Sequence, residues 1–211
     1  MTIARDGSAV TGFGGTGTLA LPTLTTTGGS GEIVVAAGTT GASITSVTAI
    51  GLTFTLRAGP ISCFGWNVMV EYVAAYTTNF SGVITINGAA SPTSAVAQAY
   101  SGVPTTSPFD GTASTSTNPP TSKTTANAND VVISINSTSS PDTPGTGWTL
   151  VANQTGNSIG LLVQDQIVSA TGTFTGNTAG GFTNGNIVDA MIQGAGGGGA
   201  RTPTLMLMGV G

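Results

Sequence analysis

The chain has 211 residues, 33 of them Gly and 38 Thr, yet only four basic and eight acidic side chains, for a net charge of −4. It has no His and a single Cys, Cys63, which excludes Cys/His zinc sites and the Ser-His-Asp and Cys-His nucleophile arrangements. No patch of Lys and Arg exists to neutralise a phosphate backbone, so no nucleic-acid partner is expected.

The mean hydropathy of +0.29 comes with few charges and much Ala and Val. Apolar runs such as Ile33-Val34-Val35-Ala36-Ala37 are of strand length, far short of the 18 or so residues that cross a bilayer. No membrane partner is expected. Met1–Gly7 carries no apolar stretch after Arg5 and does not read as a secretory signal. The length suits one domain with arms, large enough to bury a core without disulfides.

Thr, Val, Ile and aromatic residues punctuated by Gly, Pro, Asn and Ser predict strands throughout, with no helix over ten residues. In chain order, residues 1–15 form an N-terminal arm or a first strand. Weaker strands fall at 17–21, 32–37 and 43–50. In 52–57, Leu52, Phe54 and Leu56 alternate with Thr53, Thr55 and Arg57. In 66–76, Trp66, Val68, Val70, Tyr72, Ala74 and Tyr76 share a face opposite Met69, Glu71 and Val73. Further strands fall at 82–87 and 94–100. Residues 104–129 are rich in Ser, Thr and Pro and read as a long surface loop or as extended edge segments. Val131, Ile133 and Ile135 share a face, and so do Ile159, Leu161, Val163, Asp165 and Ile167. The last strands are expected at 147–153, 172–175 and 186–193. This spacing predicts an all-β sandwich or barrel.

Residues 194–203, Gly-Ala-Gly-Gly-Gly-Gly-Ala-Arg-Thr-Pro, form a flexible linker. Beyond it, Thr204–Gly211 contains Leu205, Met206, Leu207, Met208 and Val210. Such a stretch is costly in water. It is expected either as the last strand of its own sandwich or as a partner-binding arm that docks on a neighbouring subunit.

The stretch from Ala95 to Thr115 contains Tyr100-Ser101-Gly102-Val103 followed by Pro108-Phe109-Asp110. Ala128-Asn129-Asp130-Val131-Val132 comes next, then Gly145-Thr146-Gly147-Trp148-Thr149. Upstream lie Ser43–Thr48 and Thr53–Arg57. In this order the motifs resemble a jelly-roll-like β-sandwich module of tailed-phage virion structural proteins, also found in large bacterial surface proteins. The likeness covers roughly residues 16–193. It implies a jelly-roll-like antiparallel β-sandwich at 16–193, between the segment 1–15 and a linker with an apolar arm at 194–211. It carries no catalytic residues. The expected function is that of a non-enzymatic virion protein, most simply a capsid decoration (cement) protein. Its partners would be the major capsid protein or other virion subunits and copies of itself, a trimer among the options, on a particle assembled in the host cytoplasm. The alternative is a tail-fibre or cell-surface adhesin module that binds host glycans. No cofactor is expected.

Other features have plainer readings. Gly12–Gly17 matches G-x-G-x-x-G, but a Thr/Leu run with Pro22 follows rather than a helix, so a loop is expected instead of a dinucleotide site. Glu71 and Asp165 lie within strand patterns, and Asp165 shares an apolar face, where an acid needs a partner. Paired carboxylates of this kind could in principle serve a hydrolase. Asp110, Asp130 and Asp142 adjoin turn residues and suit Asx roles, with loop Ca²⁺ ligation as the alternative. Trp66, Tyr72, Tyr76, Tyr100 and Trp148 are candidates for core packing or for a sugar-stacking platform. Cys63 reads as a small buried apolar residue.

Overall fold

The computed structural model describes residues 2–14, 17–41, 43–63, 67–89, 93–138, 142–155, 160–180 and 183–194. The described residues form eighteen strands and no helix. In chain order these are β1 (Ala4–Gly14), β2 (Gly17–Ala20), β3 (Leu24–Thr25), β4 (Gly31–Thr40), β5 (Ser46–Ala49) and β6 (Leu52–Thr53). Then come β7 (Thr55–Cys63), β8 (Asn67–Tyr76), β9 (Ser81–Gly82), β10 (Thr85–Ala89), β11 (Thr93–Ser101) and β12 (Ser114–Ser116). The last six are β13 (Ser122–Thr124), β14 (Val131–Thr138), β15 (Thr149–Gln154), β16 (Gly160–Ile167), β17 (Thr173–Thr175) and β18 (Thr183–Met191). All the named pairings are antiparallel.

Fourteen of the strands form three stacked sheets, and β3–β9 and β13–β17 form two-stranded ribbons. The middle sheet runs β1-β11-β4-β8-β7; one outer sheet is β2-β10-β5-β6 and the other β12-β18-β14-β16-β15. The all-β antiparallel sandwich expected from the strand pattern is present, and it has two cores rather than one. Ile33, Val35 and Ala37 on β4 and Ala95, Ala97 and Ala99 on β11 pack against Leu19, Val47 and Ile86 of the first outer sheet. Val34, Ala36, Val96 and Tyr100 point the other way, onto Ile133, Ile135, Leu161, Val163 and Ile187 of the second. A sheet covered on both faces takes apolar residues on both, so the central runs of β4 and β11 lack the apolar-polar alternation of half-buried strands. The far side of the second outer sheet is covered as well. Val132, Val188, Ala190 and Trp148 lie under the β13–β17 ribbon with Phe174, and Trp148 Nε1 donates to the Thr175 carbonyl at 3.1 Å.

Residues 4–14 form a strand of the middle sheet, paired with β11. The apparent strand 52–57 is two strands. Leu52–Thr53 belongs to the first outer sheet and Thr55–Cys63 to the edge of the middle sheet, with Phe54 at the crossing. The 104–129 region carries two short strands, β12 and β13, and the buried polar side chains Asp110, Lys123 and Thr125. Gly12 and Gly14 end β1 and Gly17 begins β2, so no helix follows the glycine motif. Trp66, Ile159 and the whole of 195–211, including Leu205, Met206, Leu207, Met208 and Val210, lie outside the described residues.

Cys63 ends β7 against β18. A Cβ on Gly185 would collide with its sulfur, so the thiol fills the space that this glycine leaves open. Cys63 is fully buried, and burial pushes its thiol up to about 11. Because the thiolate is the reactive form, a small aromatic disulfide reagent at pH 8 is expected to label native Cys63 about 100-fold more slowly than Cys63 in urea. Equal labelling rates would contradict this packing.

Candidate functional site: a buried charged seam, a neutral exterior and a groove

Eleven of the twelve charged residues are described, and none of them is exposed. Five of them, Arg5, Arg57, Glu71, Asp165 and Asp189, gather between the middle sheet and the second outer sheet. There β1 and β7, the two edges of the middle sheet, each deliver an arginine to a carboxylate on the opposing sheet. Arg5 Nε and Nη2 donate to the two oxygens of Asp165, both at 2.7 Å. Its Nη1 donates to the Leu150 carbonyl at 2.7 Å, and the Tyr100 hydroxyl donates to Asp165 at 2.9 Å. Arg57 Nε and Nη2 donate to the two oxygens of Asp189 at 2.6 and 2.9 Å. Its guanidinium also lies over the Phe109 ring, 3.9 Å from the centroid. Fork-to-fork pairing of this kind is geometrically demanding. Two such clamps therefore fix how one sheet sits on the other.

Glu71 enters the same seam from β8, on the face of Met69 and Val73. It is fully buried, and neither carboxylate oxygen has a hydrogen-bond partner. Burial first, then the neighbouring Asp189 charge, raises its pKa well above the ordinary range; Arg57 opposes only in part. Asp189 already takes the Arg57 fork, so Glu71 feels the Arg57 charge without a hydrogen bond to it, and burial favours its protonated form. Glu32, on β4, is also buried with one unpartnered oxygen, and burial raises it to about 7.

A second cluster ties the 104–130 region to the fold. Lys123 Nζ donates to the carbonyls of Asp110 and Thr112. Burial disfavours a charge on Asp110, but the amides of Asn127 and Ala126 donate to its carboxylate and hold it below the usual range. Asp130 is fully buried, and burial together with the nearby Asp110 carboxylate raises it to about 7. A loop cation would seek carbonyl oxygens of this kind; here the chain's own Lys123 occupies them. Asp142 lies apart, its Oδ1 accepting from Thr143 N at 2.7 Å and Gly180 N at 2.8 Å. No group of three or more Cys, Asp or Glu gathers to hold a metal among the described residues.

Glu71 and Asp165, singled out in the sequence, thus meet in one seam, but each is sealed from solvent between sheets. Neither can reach a substrate from there. Tyr72, Tyr76, Tyr100 and Trp148 are all buried, so these four rings offer no exposed stacking platform. The sequence reading overlooked Arg5 and Arg57. For Arg57 the available signal was an arginine inside an alternating apolar run, where a charge must be matched from elsewhere; Arg5 had no such local signal.

The exterior is what remains: Thr, Ser, Gly and Asn, with single exposed apolar side chains. Hydroxyls pair across the β13–β17 ribbon, Ser122 with Thr175 at 2.8 Å and Thr124 with Thr173 at 2.9 Å. Between the β5–β6 turn and residues 75–83 lies a surface groove of about 510 Å³. Ile50 and Val83 flank it, 96% and 46% exposed, and Phe80 and Tyr76 line it. No charged residue lines it. Searches of protein-family models, curated proteins and solved structures find no match to this chain.

Proposed function

We propose that this chain is a non-enzymatic structural subunit of a virus particle, a capsid decoration (cement) protein of a tailed phage. It binds the major capsid protein or other virion subunits and copies of itself. The observation that carries the reading is the distribution of charge. Every described charged side chain is turned inward or half-covered, and the outer surface is neutral and rich in hydroxyls. Such a surface can be covered by a neighbour with little desolvation cost. The inter-sheet clamps make the sandwich a stiff spacer. The phage assignment itself rests on the resemblance of the Tyr100–Val103, Pro108–Asp110, Ala128–Val132 and Gly145–Thr149 motifs. Burial of four of the five candidate aromatic rings weighs against the glycan-binding alternative.

The test is quantitative mass spectrometry of particles purified from the source. Hundreds of copies per particle are expected, and washing in 0.5 M salt should leave the copy number unchanged, since exposed charge pairs are what salt screens. A few copies per particle would overturn the decoration role, and absence from particles would overturn the virion reading altogether.

A further inference from the structure

We propose that the groove beside Ile50 and Val83 is the docking site for this chain's own apolar stretch, Thr204–Gly211. The inference rests on reading that stretch as an arm and names what the arm grips. Four observations carry it.

The first is where the chain leaves the fold. Gly194 N donates to the Gly102 carbonyl at 2.7 Å, so the linker starts beside the end of β11. The second is the placement of the groove. Ser101 pairs with Gly31, and Gly31 with Tyr76, so β11 and the groove-lining end of β8 share one end of the middle sheet. Two strand spacings separate them, about 10 Å. The loop between β3 and β4 bridges the same gap. A Cβ on Gly28 would meet Ser101, and Gly29 N donates to Asn79 Oδ1 at 2.8 Å at the groove wall.

The third observation is reach. Nine residues, 195–203, join Gly194 to Thr204. A Gly-rich segment of that length has a root-mean-square span of about 17 Å and a limit near 30 Å. That reach exceeds the two strand spacings between β11 and β8, so a tethered arm can meet the groove-lining residues at an effective concentration of about millimolar. The fourth is chemistry. The arm from Thr204 on carries no charge, and neither does the groove. Its Leu205 and Leu207 fall on one face of an extended strand and Met206 and Met208 on the other. One face can cover Ile50, Leu52 and Val83 while the backbone runs along β6, which pairs with β5 on one side only. The free subunit then hides its own apolar stretch and its most exposed apolar side chain, Ile50, at once.

Hydrogen–deuterium exchange on the full chain, at two protein concentrations about tenfold apart, tests this. Amides of 205–210 are expected to exchange about tenfold more slowly than an unstructured peptide, equally at both concentrations. The full-chain Ile50→Asp/Val83→Asp variant should return them to the unstructured rate while β4 and β11 stay protected. In the reciprocal Leu205→Asp/Leu207→Asp variant, which leaves the sandwich untouched, amides of 77–83 should lose protection. Free exchange of the arm in the unaltered chain would overturn the proposal. So would protection that survives the groove variant, protection that grows with concentration, or no change at 77–83 in the arm variant. Copy number in particles is a separate readout. A decoration protein with a freely exchanging arm would sink the groove assignment alone.

Discussion

Arg57→Met is expected to destabilise the fold by about 3–5 kcal/mol, the usual cost of leaving one half of a buried ion pair uncompensated. The side chain removed is the cation between Asp189 and Glu71. It also covers the Phe109 ring. Methionine keeps much of the volume, so the loss reports charge and hydrogen bonding more than packing. In a domain of this size the melting temperature should drop by roughly 10 °C or more. The double variant Arg57→Met/Asp189→Leu should recover most of the loss, because apolar replacement of both partners is often neutral or better. Urea titrations of the single and double variants measure both steps. A single-variant loss under about 1 kcal/mol, the range of an exposed pair, would show that this clamp does not hold the two sheets together.

The pH dependence of stability should run opposite to that of most proteins. Unfolded carboxyls titrate near 4, whereas in the fold Glu32 and Asp130 titrate at about 7 and burial raises Glu71 well above its ordinary value. Between these values the folded chain holds protons that the unfolded chain has released. Stability present in mild acid is therefore lost as pH rises through 7. Asp6 and Asp110 act in the opposite sense. Burial opposes their charge, but backbone amides and, for Asp6, the Tyr76 hydroxyl outweigh it and keep both below their ordinary values. Their contribution is present above 4 and lost in stronger acid. The optimum then falls near pH 4–5, with a decline on the order of a few kcal/mol by pH 8. Thermal melts across this range should show it. Glu71→Gln, the nearest neutral substitute, should leave stability at pH 5 almost unchanged, raise it at pH 8 and flatten the decline. A stability that rises from pH 5 to pH 8 would contradict the buried, protonated state of these acids.

Local pattern by itself determined the strands and their faces. Val131, Ile133 and Ile135 do share one face, and Asp165 does lie on the apolar face of its strand with Leu161 and Val163. The period of two places a side chain on a face without saying what covers that face. The alternation through 52–57 runs unbroken, yet the tertiary structure divides it between two sheets at Phe54. The continuous apolar run of β4 could be read as a strand, but only the stacking of a sheet on each side explains it. The seam was half visible. Glu71 and Asp165 stood out as acids in apolar strands, while their surroundings depend on residues far along the chain. Arg5 and Asp165 are 160 positions apart, and Arg57 and Asp189 are 132 apart. No local signal links such positions, because the pairing is decided by which sheet edge crosses which strand. Composition determined that charge would be scarce; tertiary packing decided that two arginine–carboxylate pairs would join sheets and that the other described charges would be turned inward or half-covered, leaving a neutral surface outside.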